Sequence, residues 1–361
     1  MLQYNKTELL NEDIPKKLVE LTKSLDNFVI VKDGRIIAEQ LDKEFEDLYI
    51  KQIDEALVDM PDLFEGSLFN SYKEEAYDYN FEECNSGIVI YVRPNEIYTK
   101  SLFVFYVQEN GEFVNNTTLL LSKSSEFNYF EYLYNTGETS YNFVSNSFVG
   151  ENAKLVYGGL SKLSEKAMAS ITRNSYVDRY GNSSYSVAEI NDATTDSKTN
   201  MFLLQEFASA TSKTVAITNN NQEASFRQLV EHKAKDTEGY IENYGVANNN
   251  STLIFEGVGK INKDMKRSTA RQSNKGIVLG ETSRLDANPL LLIDEFDVIA
   301  SHGAAIGKMD DEQLYYLMSR GLTLKNAERL IISGFLSPVL KLLQSEELIQ
   351  DFIETVENKT L

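Results

Sequence analysis

The first 80 residues have the hydrophobic spacing of short helices, interrupted by one pair of strands. The leucine and isoleucine residues that recur at helical intervals are Leu9, Leu10, Ile14, Leu18, Leu21 and Leu25. Residues 28–37 favour two short strands, because Asp33 and Gly34 are the pair that a type I′ hairpin prefers. Acidic amphipathic sequence from 44 to 80 predicts further helices, with a break at Pro61. We therefore predict a mixed helical region over residues 1–80.

Residues 81–309 have a different pattern, in which short runs of β-branched and aromatic residues alternate with polar gaps. The clearest runs are 87–92, 101–107, 117–121 and 252–258. The Asn runs 219–221 and 248–250 are typical of turns that adopt left-handed conformations. Helical patterns are missing between the runs, which argues against a doubly wound α/β sheet. A sandwich, a barrel or a solenoid all fit this spacing, and no exact repeat selects among them.

From residue 310 the pattern returns to helix. Asp310 and Gln313 have the spacing of a capping box, and Gly321 suits the position just after a helix. Thr323 is placed to cap a second helix, which Pro338 ends or kinks. The apolar residues on the predicted helix faces are Leu314, Leu317, Met318, Ala327, Leu330, Ile331, Phe335, Leu343, Leu348, Phe352, Ile353 and Val356. Residues 310–361 are therefore predicted to form a C-terminal helical region.

The charge of the chain narrows the classes of function. The formal net charge is −20 at pH 7 and the pI is about 4.6. Such a chain lacks the basic face of a nucleic-acid-binding protein and the basic cluster of a membrane-surface anchor. The sequence has no run of about 18 apolar residues, and its start has no apolar core of signal-peptide length, so we expect neither a membrane span nor a signal peptide. We expect a cytoplasmic protein that binds neither nucleic acid nor membrane.

The residue types that carry chemistry are few. Cys84 is the single cysteine, so an internal disulfide is impossible, and we interpret it as a small, half-buried apolar residue. His232 lies in a strand-like run and is interpreted as a core or rim histidine with satisfied hydrogen bonds. The chain has no Gly-x-Ser-x-Gly elbow and no Walker A sequence. It is therefore predicted to be neither an α/β-hydrolase nor an ATPase.

His302 is the strongest candidate for a functional side chain. It lies in a stretch from 294 to 307 that combines acidic and small residues, and we predict a tight Ser-His-Gly turn between the last strand and the helices. A neutral imidazole is a common metal ligand and can also relay protons. Asp294 and Asp297 are close enough in sequence to hold the ring in one tautomer. The alternatives are a capping or packing histidine beside a solvated acidic edge.

The segment from 294 to 321 resembles the C-terminal signature of the SufB/SufD family of iron–sulfur cluster assembly proteins. The resemblance rests on a Ser-His-Gly-Ala stretch at 301–304, an acidic helix start and a Tyr-Tyr-Leu-x-Ser-Arg-Gly helix at 315–321. It continues through Ala327 and the Gly-Phe-Leu stretch at 334–336. The resemblance implies a mainly β protein: a right-handed parallel β-helix core flanked by N-terminal and C-terminal helical regions.

The resemblance also implies partners. A SufD-like scaffold subunit would pair with SufB as a heterodimer, or with itself as a homodimer when alone, and would dock the ATPase SufC through its C-terminal helices. The residues predicted to contact partners are Tyr315, Tyr316, Arg320, Phe335 and Leu336. His302 would be an iron or cluster ligand at the SufB interface. Residues 310–361 are predicted to be needed for SufC binding, and we predict no catalysis.

The chain departs from the family pattern at one point. SufD-like proteins often have a cysteine two residues before the histidine, and this position is Ala300 here. Because one thiol cannot hold a conventional cluster, no cofactor is predicted to bind stably to this chain alone. Iron or a cluster would touch it transiently at a shared interface, with thiolates from the partner. Two other functions are considered: a β-helix polysaccharide-active enzyme and a purely structural β-solenoid.

Overall fold

In a computed structural model, which describes residues 14–61 and 83–360, the chain winds into a solenoid of two facing parallel sheets. The strands are β1 (Phe28–Lys32), β2 (Arg35–Gln40), β3 (Tyr49–Gln52), β4 (Ile88–Val92), β5 (Ile97–Gln108), β6 (Gly111–Leu121), β7 (Glu126–Asn135), β8 (Thr139–Val149), β9 (Lys154–Lys162), β10 (Ala167–Val177), β11 (Asn182–Glu189), β12 (Thr194–Leu203), β13 (Ser209–Thr218), β14 (Glu223–His232), β15 (Glu238–Ala247), β16 (Thr252–Ile261), β17 (Thr269–Val278), β18 (Arg284–Ile293) and β19 (Ile299–Gly307). The predicted mainly β fold with a parallel β-helix core is confirmed.

Each of about eight turns contributes one strand to each sheet. Among the described residues, sheet A has the order β19, β17, β15, β13, β11, β9, β7, β5, β1, β2, and sheet B has the order β18, β16, β14, β12, β10, β8, β6, β4, β3. All neighbours from β4 and β5 onward pair in parallel. The β1–β2 and β3–β4 pairs are antiparallel and close the N-terminal end.

The turns differ in length, which explains why the sequence shows no exact repeat. Asn146 and Asn174 are in register 28 residues apart, whereas Asn174 and Asn200 are 26 residues apart. Their side-chain amides form a ladder, with N···O distances of 3.0 and 2.9 Å. Further along, Asn243 and Asn274 are 31 residues apart and again hydrogen-bonded. A search for a fixed period misses such a solenoid.

Stacked aromatic side chains account for the many Tyr and Phe residues. Phe148, Tyr176 and Phe202 occupy one column on sheet B, with ring centroids 5.0 and 5.1 Å apart and planes tilted by 14°. Between the sheets, Tyr157 and Tyr185 stack at 4.2 Å. Because like side chains in register contact each other on successive turns, they stabilise that register beyond the burial of their area.

The main apolar core lies between the two sheets. Its buried members include Val104, Phe113, Phe127, Phe143, Leu155, Ile171, Val187 and Met201. Burial of each such side chain contributes about 1.5–3 kcal/mol. The strands that the sequence predicts at 87–92, 101–107, 117–121 and 252–258 are all observed in the solenoid, each with at least one shifted end.

The helices among the described residues are α1 (Lys16–Leu21), α2 (Ile53–Asp59), α3 (Asp311–Ser319), α4 (Leu324–Phe335), α5 (Leu340–Leu343) and α6 (Glu346–Lys359). Four of them cover the outer face of sheet A. We call α1, α4, α5 and α6 the helical layer, because their buried residues share one apolar cluster with sheet A. That cluster includes Leu18, Phe105, Leu160, Ile190, Val215, Ile332, Leu336, Leu343 and Phe352. α2 packs instead on sheet B, beside β3 and β4.

The N-terminal region contains more strand than predicted. The hairpin at Asp33 and Gly34 is confirmed, since both residues have positive φ and join β1 to β2. However, β1 and β3 also extend the two sheets, because their apolar residues complete the end of the core. The predicted helix is observed as α1, while Leu9 and Leu10 lie outside the described residues. Helices predicted within 62–80 also lie outside them.

Local signals in the turns and caps are largely confirmed. Asn220 and Asn249 adopt left-handed conformations, with φ of 56° and 51°. Thr323 caps α4, and Gly321 has the positive φ expected after α3. Asp310 caps α3, but its carboxylate accepts the N–H of Glu312 (2.9 Å) and not that of the capping-box position. Pro338 lies in a 3₁₀ turn, Ser337–Val339, that follows α4.

Candidate functional site

The solenoid ends in an open turn that exposes apolar side chains. Within the described residues, β18 and β19 each pair with another strand on one side only. β18 contains Pro289, which has no backbone N–H to donate, whereas β19 contains no proline. The edge at β19 is therefore better suited for pairing with another strand. The large apolar side chains that remain exposed at this end are Leu290, Leu292, Phe296, Ile299 and Ile306. An unpaired strand edge beside exposed apolar side chains is typical of a protein–protein interface.

His302 lies in the middle of β19 and is exposed. The predicted Ser-His-Gly turn is therefore wrong: the strand continues to Gly307, because each residue from Ile299 onward pairs in register with β17. His302 is opposite Gln272, in the column that continues the inward-facing residues of sheet A. The small residues Ser301, Gly303 and Ala304 have little preference of their own for a strand. The pairing with β17 therefore decides the conformation of this segment.

Asp294 and Asp297 lie in the connection between β18 and β19. The backbone carbonyl of Asp297 accepts the N–H of Arg267, and the N–H of Asp294 donates to Ile261. Within the part of the chain that the structure describes, no hydrogen bond or ion pair joins His302 to either acid. The structure thus gives no support to the prediction that they fix its tautomer. Residues 14–61 and 83–360 contain no group of three or more His, Cys, Asp or Glu side chains arranged to hold a metal ion.

His232, unlike the exposed His302, is enclosed by other residues. It ends β14, is fully buried, and its Nδ1 lies 2.7 Å from the hydroxyl of Thr237. Nε2 has no hydrogen-bond partner among the described residues. Burial lowers the pKa of His232 from 6.5 to about 4, so the ring is neutral at pH 7. The prediction of a core histidine is confirmed, but only one of its ring nitrogens is satisfied among the described residues.

Cys84 is half-buried beside the apolar cluster that α2 forms on sheet B. Burial raises the pKa of its thiol, which disfavours the reactive thiolate. The interpretation of Cys84 as a small apolar residue is confirmed.

The five predicted partner residues do not share one surface. Tyr315 and Tyr316 are 76% and 56% exposed on α3, a helix without any buried residue. The guanidinium of Arg320 lies 5.3 Å from the ring centroid of Tyr316 and donates to its hydroxyl at 3.3 Å. Phe335 packs edge-on against Tyr244 of sheet A. Leu336 is fully buried in the helical layer and belongs to the fold.

A buried ionic group between the sheets was missed by sequence reasoning. Arg173 donates from Nε to Glu131 at 2.6 Å and from Nη1 to Glu189 at 2.9 Å, and all three side chains are fully buried. Tyr157 donates its hydroxyl to Glu131 as well. Burial raises the pKa of Glu131, against the opposing effect of Arg173. The sequence signal for this group was a charged residue at an inward-facing position of β7, β10 and β11. Charged residues are rarely fully buried unless their charge is paired.

Residues 104–335 match the protein family described as "SUF system FeS cluster assembly, SufBD core domain". The match covers more than half of the 361 residues. The chain belongs to the SufBD core family. The matched SufBD core begins within β5 and ends with α4, so it contains His302 and the exposed residues of α3, whereas Cys84 and α6 lie outside it.

Individual relatives agree with this assignment. The chain is 33% identical over 281 residues to the iron–sulfur cluster assembly protein SufD of Bacillus subtilis, an alignment that covers 76% of this chain and 64% of that protein. It is 24% identical over 328 residues to SufBD family proteins of Staphylococcus epidermidis and Staphylococcus aureus, covering 87% of this chain and 70% of each of them. The chain therefore spans just under two thirds of the Bacillus subtilis protein. None of the described helices combines the length and apolar character that a membrane crossing needs.

Proposed function

We propose that this chain is a SufD-like scaffold subunit of a SufB–SufC–SufD complex that assembles iron–sulfur clusters in the cytoplasm. The observation that supports this most is the open last turn, where an unpaired edge, exposed apolar residues and His302 lie together at one end of the SufBD core. Membership of the SufBD family favours cluster assembly over a polysaccharide-active enzyme or a purely structural solenoid. The proposal assigns no catalytic step to this chain.

The partner at the open end would be SufB. A second β-helix of the same family offers a similar edge, and strands added across such edges satisfy backbone groups that are otherwise unpaired. When SufB is missing, a second copy of this chain would occupy the same edge as a homodimer. Exposed Leu292 and Ile299 would then be buried in the interface.

The cluster, or the iron from which it is built, would be the cargo of this interface. His302 would supply a neutral imidazole nitrogen, while thiolates would come from SufB, because the single cysteine of this chain lies far from β19 in the topology. Its exposed position on an edge strand supports such a role, since the ring can reach a ligand shared with the partner.

The ATPase SufC would dock on α3. Its aromatic residues and Arg320 are the residue types that dominate binding energy at protein interfaces. Sheet A occupies the inner side of the helical layer, so among the described residues α3 and the outer side of α4 are exposed for a partner. Exposed Met318 and Leu330 extend this surface.

Co-expression with SufB tests the pairing. Replacement of both Leu292 and Ile299 by Asp should abolish the heterodimer in size-exclusion chromatography, because two charges would be buried in an apolar interface. The same chain, expressed alone, should sediment as a monomer. Met168→Asp is the matched control, since Met168 is 72% exposed on β10, away from the open end. A heterodimer of unchanged affinity with the doubly substituted chain would contradict the proposal.

Iron content tests the role of His302. His302→Ala should lower the iron bound per assembled complex while the complex still forms. Its melting temperature should stay unchanged, because no hydrogen bond to the His302 ring is lost among the described residues. Ser301→Ala, its neighbour on the other face of β19, is the control and should retain full iron content. Normal iron content in the His302→Ala complex, with or without a lowered melting temperature, would contradict this role. Normal iron content together with a lowered melting temperature would identify a structural histidine.

A further inference from the structure

α6 is held on the solenoid by a buried carboxylate. Asp351 accepts hydrogen bonds from the hydroxyl of Tyr132 on β7 (2.9 Å) and from the ammonium of Lys162 on β9, and it forms an ion pair with Lys17 of α1 (2.6 Å). Its side chain is 1% exposed. Burial alone would raise the pKa of Asp351, but the two lysines outweigh it and hold the pKa below its ordinary value. The carboxylate is therefore charged and paired at neutral pH.

The far end of α6 has a second polar anchor. The ammonium of Lys359 is buried and donates to the carbonyl of Asn191 (2.6 Å) and to the side chain of Gln222 (3.2 Å), and it pairs with Asp192 (2.6 Å). The carbonyl of Lys359 accepts from the amide of Asn248 at 3.0 Å. These partners lie in connections that follow β11, β13 and β15.

The two anchors span successive turns from β7 to β15, and the first and last of these strands do not pair with each other. In a solenoid each turn contacts its neighbours only, so a structural change in one turn is not passed directly to distant turns. α6 has 14 residues, a length of about 21 Å, and it contacts strands from β7 to the turn after β15. It also packs against α4, which in turn packs against α3. α3 itself has no buried residue, follows β19 in the chain and packs against α4.

We infer that α6 is a conformational clasp whose anchors at Asp351 and Lys359 join the helical layer to the turns of the β-helix. Apolar contacts such as that of Phe335 with Tyr244 also hold this layer on sheet A, and the clasp adds the buried polar anchors that couple the two. Without the clasp, the helical layer unfolds at a lower denaturant concentration than the β-helix. This inference does not depend on which partner occupies α3, and it goes beyond the proposed function.

The chain contains no tryptophan, so single tryptophan reporters can follow each unit separately. Phe335→Trp reports on the helical layer and Phe202→Trp reports on sheet B, away from α6. In the otherwise unaltered chain both reporters should unfold at the same urea concentration. With Asp351→Asn and Lys359→Met added, the Phe335→Trp midpoint should fall below the Phe202→Trp midpoint by on the order of 1 M urea.

The matched control breaks an exposed ion pair of the same chemistry, Lys123 with Glu151. Lys123→Met with Glu151→Gln should leave the two midpoints together. If the Asp351 and Lys359 double variant does not fold, Lys17→Met combined with Lys359→Met provides the milder test, and the midpoints should again separate. Coincident midpoints in the clasp variants, or midpoints already separate in the unaltered chain, would overturn the inference.

Discussion

At the residue scale, the two histidines differ in their surroundings. His302 stands exposed on an edge strand. His232 is enclosed between the sheets, and only one of its ring nitrogens has a partner among the described residues. A charged imidazolium there would have to give up its hydration without a compensating carboxylate. The fold therefore keeps His232 neutral.

The pH dependence of unfolding should report this burial. The pKa of His232 is about 4 in the folded chain and 6.5 in the unfolded chain, so between these values the unfolded chain binds the additional proton. Its contribution to stability is complete above pH 6.5 and is lost as the pH falls toward 4. From pH 7 to pH 5 the free energy of unfolding should fall by about 2 kcal/mol more than in a His232→Gln chain. Urea unfolding at the two pH values measures this.

Met168→Gln, at an exposed position of β10 that does not titrate, is the control for that experiment and should retain the full pH dependence of the unaltered chain. Acidic groups that titrate in the same range contribute equally to all three chains, so the comparison isolates the buried ring. Equal pH dependence in the unaltered and His232→Gln chains would show that water reaches His232.

At the scale of elements, α3 and α6 are both amphipathic helices but have opposite roles. α6 buries Leu348, Phe352 and Val356 against sheet A, whereas α3 buries none of its residues. A truncation at residue 310 would therefore remove the cover of sheet A together with α3, and would expose an apolar face. Loss of SufC binding after such a truncation could not be attributed to α3, so point substitutions are the informative test.

Substitution of both tyrosines of α3 by Ala should weaken SufC binding by tenfold or more, equivalent to about 1.4 kcal/mol, because truncated aromatic anchors lose their contact area. The melting temperature should stay unchanged, since Tyr315 and Tyr316 lie on a helix without buried residues. Isothermal titration calorimetry with purified SufC measures the affinity. Tyr180→Ala, which removes an exposed tyrosine from a solenoid corner, should bind normally. Unchanged affinity of the α3 variant would place the ATPase elsewhere.

At the scale of the whole molecule, the solenoid tolerates a charged group in its buried interior because the charges are paired across several turns. Glu131 lies on β7, Arg173 on β10 and Glu189 on β11, so the group links both sheets. Such a group specifies the register of the turns, while its net contribution to stability is small because the desolvation of three charges offsets their attraction.

Removal of the central charge should therefore be costly. Arg173→Met leaves two buried carboxylates without their cation, and the free energy of unfolding should fall by about 3–5 kcal/mol. Addition of Glu131→Gln and Glu189→Gln to Arg173→Met should recover much of that loss, since no uncompensated charge then remains. Urea unfolding of the single and triple variants measures both steps. A single variant as stable as the unaltered chain would mean that the interior is hydrated.

Local sequence signals determined those parts of the protein whose physics is local. The Asp33-Gly34 hairpin, the left-handed Asn turns and the Thr323 cap depend on a few neighbouring residues, and each was predictable. The β-rich composition and the missing helical patterns predicted a β protein, but left sandwich, barrel and solenoid open. The resemblance around His302 selected the β-helix, and it also indicated which helices follow.

Tertiary structure alone decided which residues meet. The expected turn at His302 became a strand, because hydrogen bonds to β17 outweigh the weak local preference of Ser, Gly and Ala. The pairing of Arg173 with Glu131 and of Asp351 with Lys162 joins residues that are 42 and 189 positions apart. Leu336 shares the apolar character of exposed residues nearby, and only packing shows that it is buried. Contacts at such separations depend on the register of many turns, which no short segment of sequence specifies.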